Sequence, residues 1–194
     1  MDSSSLSPSF SKKHALVVVG AGQMARAMVA GWQRQACPFS AIYTVDPHQH
    51  EGLGENTMAC AHPEDLPSLP QPFVLMFAVK PQILGDLLPQ WAEIAKTAQA
   101  VFSIAAGFSC ARLQQGLGRP VIRLMPNTPV AVGSGIIGCY IPPEEDQGQG
   151  ALIQTLFAPL GVLVPVASED DLNRITAFSG SGPAFVYAFL EGLE

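Results

Sequence analysis

The sequence predicts an α/β fold, a doubly wound and mostly parallel sheet with helices on both faces, and three observations carry that expectation. Short β-rich runs alternate with amphipathic stretches, the pattern of parallel strands joined by crossover helices. Several runs are continuously apolar, residues 73–79 (FVLMFAV) most clearly, as suits a strand buried on both faces. The first run, 15–19, passes directly into Gly20-Ala21-Gly22-Gln23-Met24-Ala25, a glycine turn that opens a helix.

In chain order, residues 1–13 are serine-rich without an apolar core, a flexible tail rather than a secretion signal. Strands are expected at 15–19, 41–45, 74–79, 100–105, 121–125, 136–141 and 162–166, and helices at 23–35, 83–96, 109–117 and 144–157. Met24, Ala27, Met28 and Gly31 recur at helical spacing behind the glycine turn. The proline-rich stretch 63–72 is a surface connection that feeds the third strand. Pro142-Pro143-Glu144-Glu145 opens the fourth helix with acidic side chains at its favourable end.

The texture changes after residue 166. Ser168-Glu169-Asp170-Asp171 has the form of a capping box, and Leu172, Ile175 and Phe178 continue an apolar stripe. Ser179-Gly180-Ser181-Gly182 interrupts it, and Pro183 restarts a helix at its first position. That last helix, 184–194, is largely apolar, with no capping glycine beyond it and no basic last turn. It reads as the opening of an all-helical domain cut short. The expected organisation is a tail at 1–13, a dinucleotide-binding domain at 14–167, and the start of a truncated helical domain at 168–194.

Composition narrows the function. Hydrophobic residues make up 48% of the 194 and charged ones 13%, so much of the chain belongs in a core or an interface. No apolar run is long enough to cross a bilayer. The net charge of −6, with no basic cluster to offset it, argues against nucleic acid as a partner. Cys37, Cys60, Cys110 and Cys139 are far apart and read as reduced, apolar residues of a cytoplasmic protein. Four scattered histidines give no ligand spacing, so no metal site is expected.

The chemistry is expected at strand ends. Gly20 permits the tight turn, Gly22 lets the backbone approach a diphosphate, and Ala25 is small enough for close helix–strand packing. The free N–H groups of the first helical turn then face the phosphates, in a Rossmann-like arrangement. Asp46, at the end of the second strand, stands where a carboxylate accepts from an adenine-side ribose and repels the extra phosphate of NADP. A plain Asp46-Pro47 turn is the alternative. His48 and His50 are solvated loop residues that would soften the discrimination when protonated.

Ala78-Val79-Lys80-Pro81 closes the third strand and borders the cofactor, with Lys80 either a phosphate or carboxylate contact or simply solvated. Ala105-Ala106-Gly107 closes the fourth; its three small residues fit the approach of a flat ring or tight helix packing equally. In Met125-Pro126-Asn127-Thr128-Pro129 two prolines hold an amide and a hydroxyl rigidly. Nicotinamide, a small polar substrate or a structural turn would each use them. Ser181 and Gly182, within Ser179-Gly180-Ser181-Gly182-Pro183, offer a carboxylate site at a helix start or a hinge between domains.

With these blocks in order, the sequence resembles the pyrroline-5-carboxylate reductase family from about residue 15 onward. The Arg123-Leu124-Met125-Pro126-Asn127-Thr128-Pro129 and Ser179-Gly180-Ser181-Gly182-Pro183-Ala184-Phe185 blocks carry most of the specificity. The resemblance implies reduction of 1-pyrroline-5-carboxylate to L-proline with NAD(P)H, and a homodimer or higher homo-oligomer formed through the helical domain. It also implies that Gly20, Ala21, Gly22, Gln23, Met24, Ala78, Val79, Lys80 and Pro81 contact the cofactor. Ala105 and Ala106 would lie beside its reactive end. Substrate would meet Asn127, Thr128, Ser181 and Gly182.

Two departures from the family pattern matter. Asp46-Pro47 stands where members that favour NADPH carry Ser, Asn or Arg, so NADH is the expected cofactor. The family's later Gly- and Thr-containing substrate loop has no counterpart, so the chain is expected to bind cofactor with or without turnover. No proton donor is identified. The alternatives are a related hydroxyacid or deazaflavin-dependent reductase, and a non-catalytic NAD(P)H-sensing module.

Overall fold

A computed structural model describes residues 14–35, 37–48, 53–145, 148–176 and 182–193. Eight strands form one sheet in the order β3-β2-β1-β4-β5-β6-β7-β8. They are β1 (His14–Val19), β2 (Phe39–Val45), β3 (Thr57–Cys60), β4 (Phe73–Phe77), β5 (Ala100–Ser103), β6 (Ile122–Met125), β7 (Gly135–Tyr140) and β8 (Gly161–Pro165). All neighbours pair in parallel except β6 and β7, which are antiparallel. The helices are α1 (Gln23–Arg34), α2 (Pro81–Thr97), α3 (Cys110–Leu117), α4 (Gln149–Phe157), α5 (Glu169–Ile175) and α6 (Gly182–Glu191).

The continuous apolar runs are explained by two cores, one on each face. Successive strand residues point to opposite sides, and β1 divides accordingly. Leu16 and Val18 join Met28, Val29, Trp32 and Phe157 on the α1 and α4 side. Ala15, Val17 and Val19 join Leu84, Leu88, Trp91 and Leu113 on the α2 and α3 side. Trp32 anchors the first core: its indole N–H donates to the Leu156 carbonyl at 2.7 Å, and Phe39 meets it edge-on at 4.9 Å. Gly31 allows the turn of 3-10 helix Thr128–Val132 to press on α1, since a Cβ there would lie 2.0 Å from the Val130 carbonyl oxygen.

Several expected boundaries move. The fourth helix does not run from 144 to 157. Pro143–Glu145 makes one turn of 3-10 helix, and α4 begins at Gln149 after Gly148, whose φ of +87° is incompatible with a continuing right-handed helix. Strands expected to reach 79 and 105 end at Phe77 and Ser103, which leaves Ala78 and Ala105 in the loops above the sheet. A strand was not expected at Thr57–Cys60, yet it forms the sheet's edge beside β2. The capping motif at 168–171 forms: the Asp171 N–H donates to Ser168 Oγ at 3.3 Å and the hydroxyl donates to the Asp171 carboxylate at 2.7 Å. Leu172 and Ile175 of α5 lie over Gly138. Phe178 falls outside the described residues, as does Ser181. Among the described residues no helix is long and apolar enough to cross a membrane.

Candidate functional site

The carboxyl ends of β1, β2, β4, β5 and β6 lie along one edge of the sheet, because these strands are parallel. At the first of them Gly20 takes a φ of +96° and donates its N–H to the Val45 carbonyl at 2.8 Å. A Cβ at Gly20 would lie 2.7 Å from Val79 Cγ1, so the β1 and β4 loops touch at this glycine. Gly22 differs. It caps α1 with an ordinary extended backbone, and nothing lies within 4 Å of where its Cβ would stand. Space for a ligand, rather than a strained turn, is what glycine supplies there.

The start of α1, like those of α2 and α4, is left open by its own side chains. It has no side-chain cap and no acidic residue in its first turn. By contrast α3 is capped by Ser109, and α5 opens with Glu169, Asp170 and Asp171. First-turn N–H groups without a side-chain cap fit a diphosphate. Arg26 steadies the loop by donating from Nε to the Ala21 carbonyl at 2.9 Å.

Asp46 stands beside this turn. Its Oδ2 accepts from the Ala21 N–H at 2.8 Å and its Oδ1 from the His48 N–H at 2.9 Å. The carboxylate therefore shapes a turn and also holds the glycine loop, and each oxygen keeps a lone pair for a further donor. A cleft of about 230 Å³ opens next to it. Gly20, Asp46 and Val79 line it with Pro47, His48, His62 and Pro63, and Ile83, Leu87 and Trp91 of α2 complete the wall. Of these, the α2 residues were missed in the sequence. Their spacing of four along one helix was the available signal.

Lys80 is the exposed residue preceding α2, and Pro81 is that helix's first residue. Ala105 is buried, whereas Ala106 and Gly107 are exposed and a Cβ at Gly107 would meet nothing within 4 Å. Tight packing thus accounts for Ala105 and not for its two small neighbours. Asn127 is 8% exposed and uses its Oδ1 to accept from the Ile136 N–H at 2.8 Å, which ties the turn to β7. Thr128 is exposed and begins the 3-10 turn. Gly182 begins α6.

Below the Ala105 turn lies a second polar cluster that sequence reading did not connect. Glu169 Oε1 accepts from the Cys110 N–H at 2.6 Å and from Arg123 Nη1 at 2.7 Å, and Arg123 Nη2 donates to the Ala105 carbonyl at 3.2 Å. Burial, and then the Glu169 carboxylate, push the Cys110 thiol up to about 12. Burial and the same acidic surroundings raise the Tyr140 hydroxyl.

No family model matches the chain. Individual relatives do. Pyrroline-5-carboxylate reductase of Haemophilus influenzae is 30% identical over 186 residues, covering 94% of this chain and 69% of the relative. The enzyme of that name from Synechocystis is 33% identical over 183 residues, with 92% and 67% covered. The crystal structure of Plasmodium falciparum pyrroline carboxylate reductase with NADP bound superposes with a TM-score of 0.81 at 24% identity, covering 94% of this chain and 68% of that one. The NAD(P)-binding oxidoreductase fold and the extent of these matches lead to one conclusion: the chain belongs to the pyrroline-5-carboxylate reductase family.

Proposed function

We propose that the protein reduces 1-pyrroline-5-carboxylate to L-proline with NAD(P)H, NADH being preferred. The observation that carries the cofactor half of this reading is the open N-terminus of α1 beside Asp46. Gly20, Ala21, Gly22, Gln23 and Met24 hold the diphosphate, and Asp46 accepts from the adenine-side ribose. The apolar wall of Ile83, Leu87 and Trp91 receives the adenine. Ala78, Val79, Lys80 and Pro81 border the ribose and phosphates, and Ala105 and Ala106 flank the nicotinamide.

The bound cofactor supplies the hydride, delivered from the nicotinamide C4 to the imine carbon as the C=N electron pair moves onto a protonated nitrogen. The chain's part is placement and shielding. Asn127 and Thr128 orient the reacting end from the β6 edge. Ser181 and Gly182 receive the substrate carboxylate. The dinucleotide-binding domain spans 14–167 and the helical segment 168–194 belongs to a second, dimer-forming unit in a cytoplasmic enzyme. Membership of the family supports the substrate.

The test is NADH oxidation in the presence of pyrroline-5-carboxylate, with proline measured directly. Proline formed in step with NADH consumed is expected. NADH that binds but yields no proline would leave the cofactor assignment standing and remove the substrate.

A further inference from the structure

The turn between β5 and α3 is gripped at both ends by one ion pair. Strand β5 stops at Ser103, so the Ala105 carbonyl lies beyond the sheet ladder, and Arg123 Nη2 takes it at 3.2 Å. At the far end, the first N–H of α3, that of Cys110, goes to Glu169 Oε1 at 2.6 Å. The two grips are joined, because the same carboxylate oxygen accepts from Arg123 Nη1 at 2.7 Å. Between them stand exposed Ala106 and Gly107, the latter with a φ of +71° and open space around it.

Arg123 is 3% exposed. A guanidinium so deeply buried needs a charged partner; Nη1 and Nη2 are paired while Nε is buried with no hydrogen-bond partner among the described residues, and the charged partner is not on the sheet. Glu169 is the first residue of α5, beyond the last strand. The position of the turn is therefore set by a helix from outside the dinucleotide-binding unit.

Resting on the cofactor placement proposed above, we infer that Arg123 and Glu169 are positioning residues for the nicotinamide end of the cofactor. By fixing the Ala105 carbonyl and the start of α3 together, the pair holds the small-residue turn at the height the nicotinamide requires. The adenosine and diphosphate contacts lie at β1, β2 and β4, away from this pair. Loosening it penalises the nicotinamide half of the ligand alone.

The experiment compares calorimetric titrations with NADH and with ADP-ribose, which lacks the nicotinamide. Glu169→Gln keeps an acceptor for the Cys110 N–H but removes the charge opposite Arg123. A double variant, Arg123→Met with Glu169→Leu, removes both charges and leaves none unpaired in the interior. In each, NADH is expected to bind about tenfold more weakly, with ADP-ribose unchanged. The fluorescence of bound NADH is expected to shift toward that of the free cofactor. Equal weakening of both ligands, undiminished NADH binding, or failure of both variants to fold would make the pair purely structural and overturn the inference. A wild-type chain that binds neither ligand overturns the cofactor reading itself, an outcome distinguishable from the others.

Discussion

The backbone N–H of Ala21 reaches across from the first strand's loop to Oδ2 of Asp46 at the end of the second, 2.8 Å away. One carboxylate thus braces the glycine turn and is the group proposed to accept from the ribose. Substitution tests both duties together. Asp46→Ser removes the charge and the brace, while Asp46→Asn removes the charge and keeps one acceptor. Both should shift preference from NADH toward NADPH, by roughly tenfold to a hundredfold if charge repulsion dominates. Titration of each variant with both cofactors checks this, and an unchanged ratio would reduce Asp46 to a turn residue.

Gly20 and Gly22 should respond in opposite ways. A Cβ at Gly22 meets no protein atom within 4 Å, so Gly22→Val should melt nearly normally and lose NADH affinity. Valine at Gly20 must adopt a φ of +96° against Val79 and the Ala78 carbonyl, so it should lower the melting temperature outright. Scanning calorimetry together with NADH titration separates the two. A Gly22→Val chain that binds NADH normally would dismiss the cradle.

Gly31→Val should be among the more damaging surface-remote substitutions. Its Cβ would overlap the Val130 carbonyl, so the 3-10 turn carrying Asn127 and Thr128 must lift from α1. Overpacking of this kind costs about 1–3 kcal/mol or more. Urea unfolding measures it directly.

Cys110 and Cys139 are both pushed up to about 12 from the ordinary 9.0, chiefly by burial. Unfolded thiols ionise above pH 9 while the folded ones keep their protons, so the native state loses ground as pH rises. Stability contributed by the neutral thiols is full below pH 9 and falls away between about 9 and 12. The melting temperature should decline across that window, less steeply in Cys139→Ala. Iodoacetamide at pH 8 should label both thiols far more slowly in the native chain than in the unfolded one.

Four side chains of the last helix and its exit, Phe185, Phe189, Leu190 and Leu193, are exposed, Phe185 by 73%. Burying large apolar side chains gains roughly 1.5–3 kcal/mol each, enough together to drive association. The protein should sediment as a dimer or larger, and Phe185→Ser with Phe189→Ser should yield monomer. A wild-type monomer would contradict the expectation.

The buried strands were legible because an apolar residue at every position has few other uses in a chain of this kind. β3 was not: it has four residues, an exposed Met58, and only one neighbour. The direction of β7 could have been read, since the connection between Met125 and Gly135 is too short for a parallel crossover. Of the site, Gly20, Gly22 and Asp46 announced themselves through local pattern. The pairing of Arg123 with Glu169 did not, because residues 46 positions apart are brought together only by the sheet. Helix 144–157 failed at Gly148, whose left-handed backbone outweighed the acidic start.

The reversal at β7 has an electrical consequence. Helices α1, α2 and α3 follow β1, β4 and β5, whose carboxyl ends share one edge of the sheet. The α5 helix begins beside the start of α3, since Glu169 accepts from the Cys110 N–H at 2.6 Å. After the reversal at β7, α4 and the turn that follows it bring Leu156 to Trp32 and Leu160 to Gly31, in the last turn of α1. The C-terminal ends of α1 and α4 therefore lie together, away from the Gly22 end of α1, and their negative ends reinforce one another there.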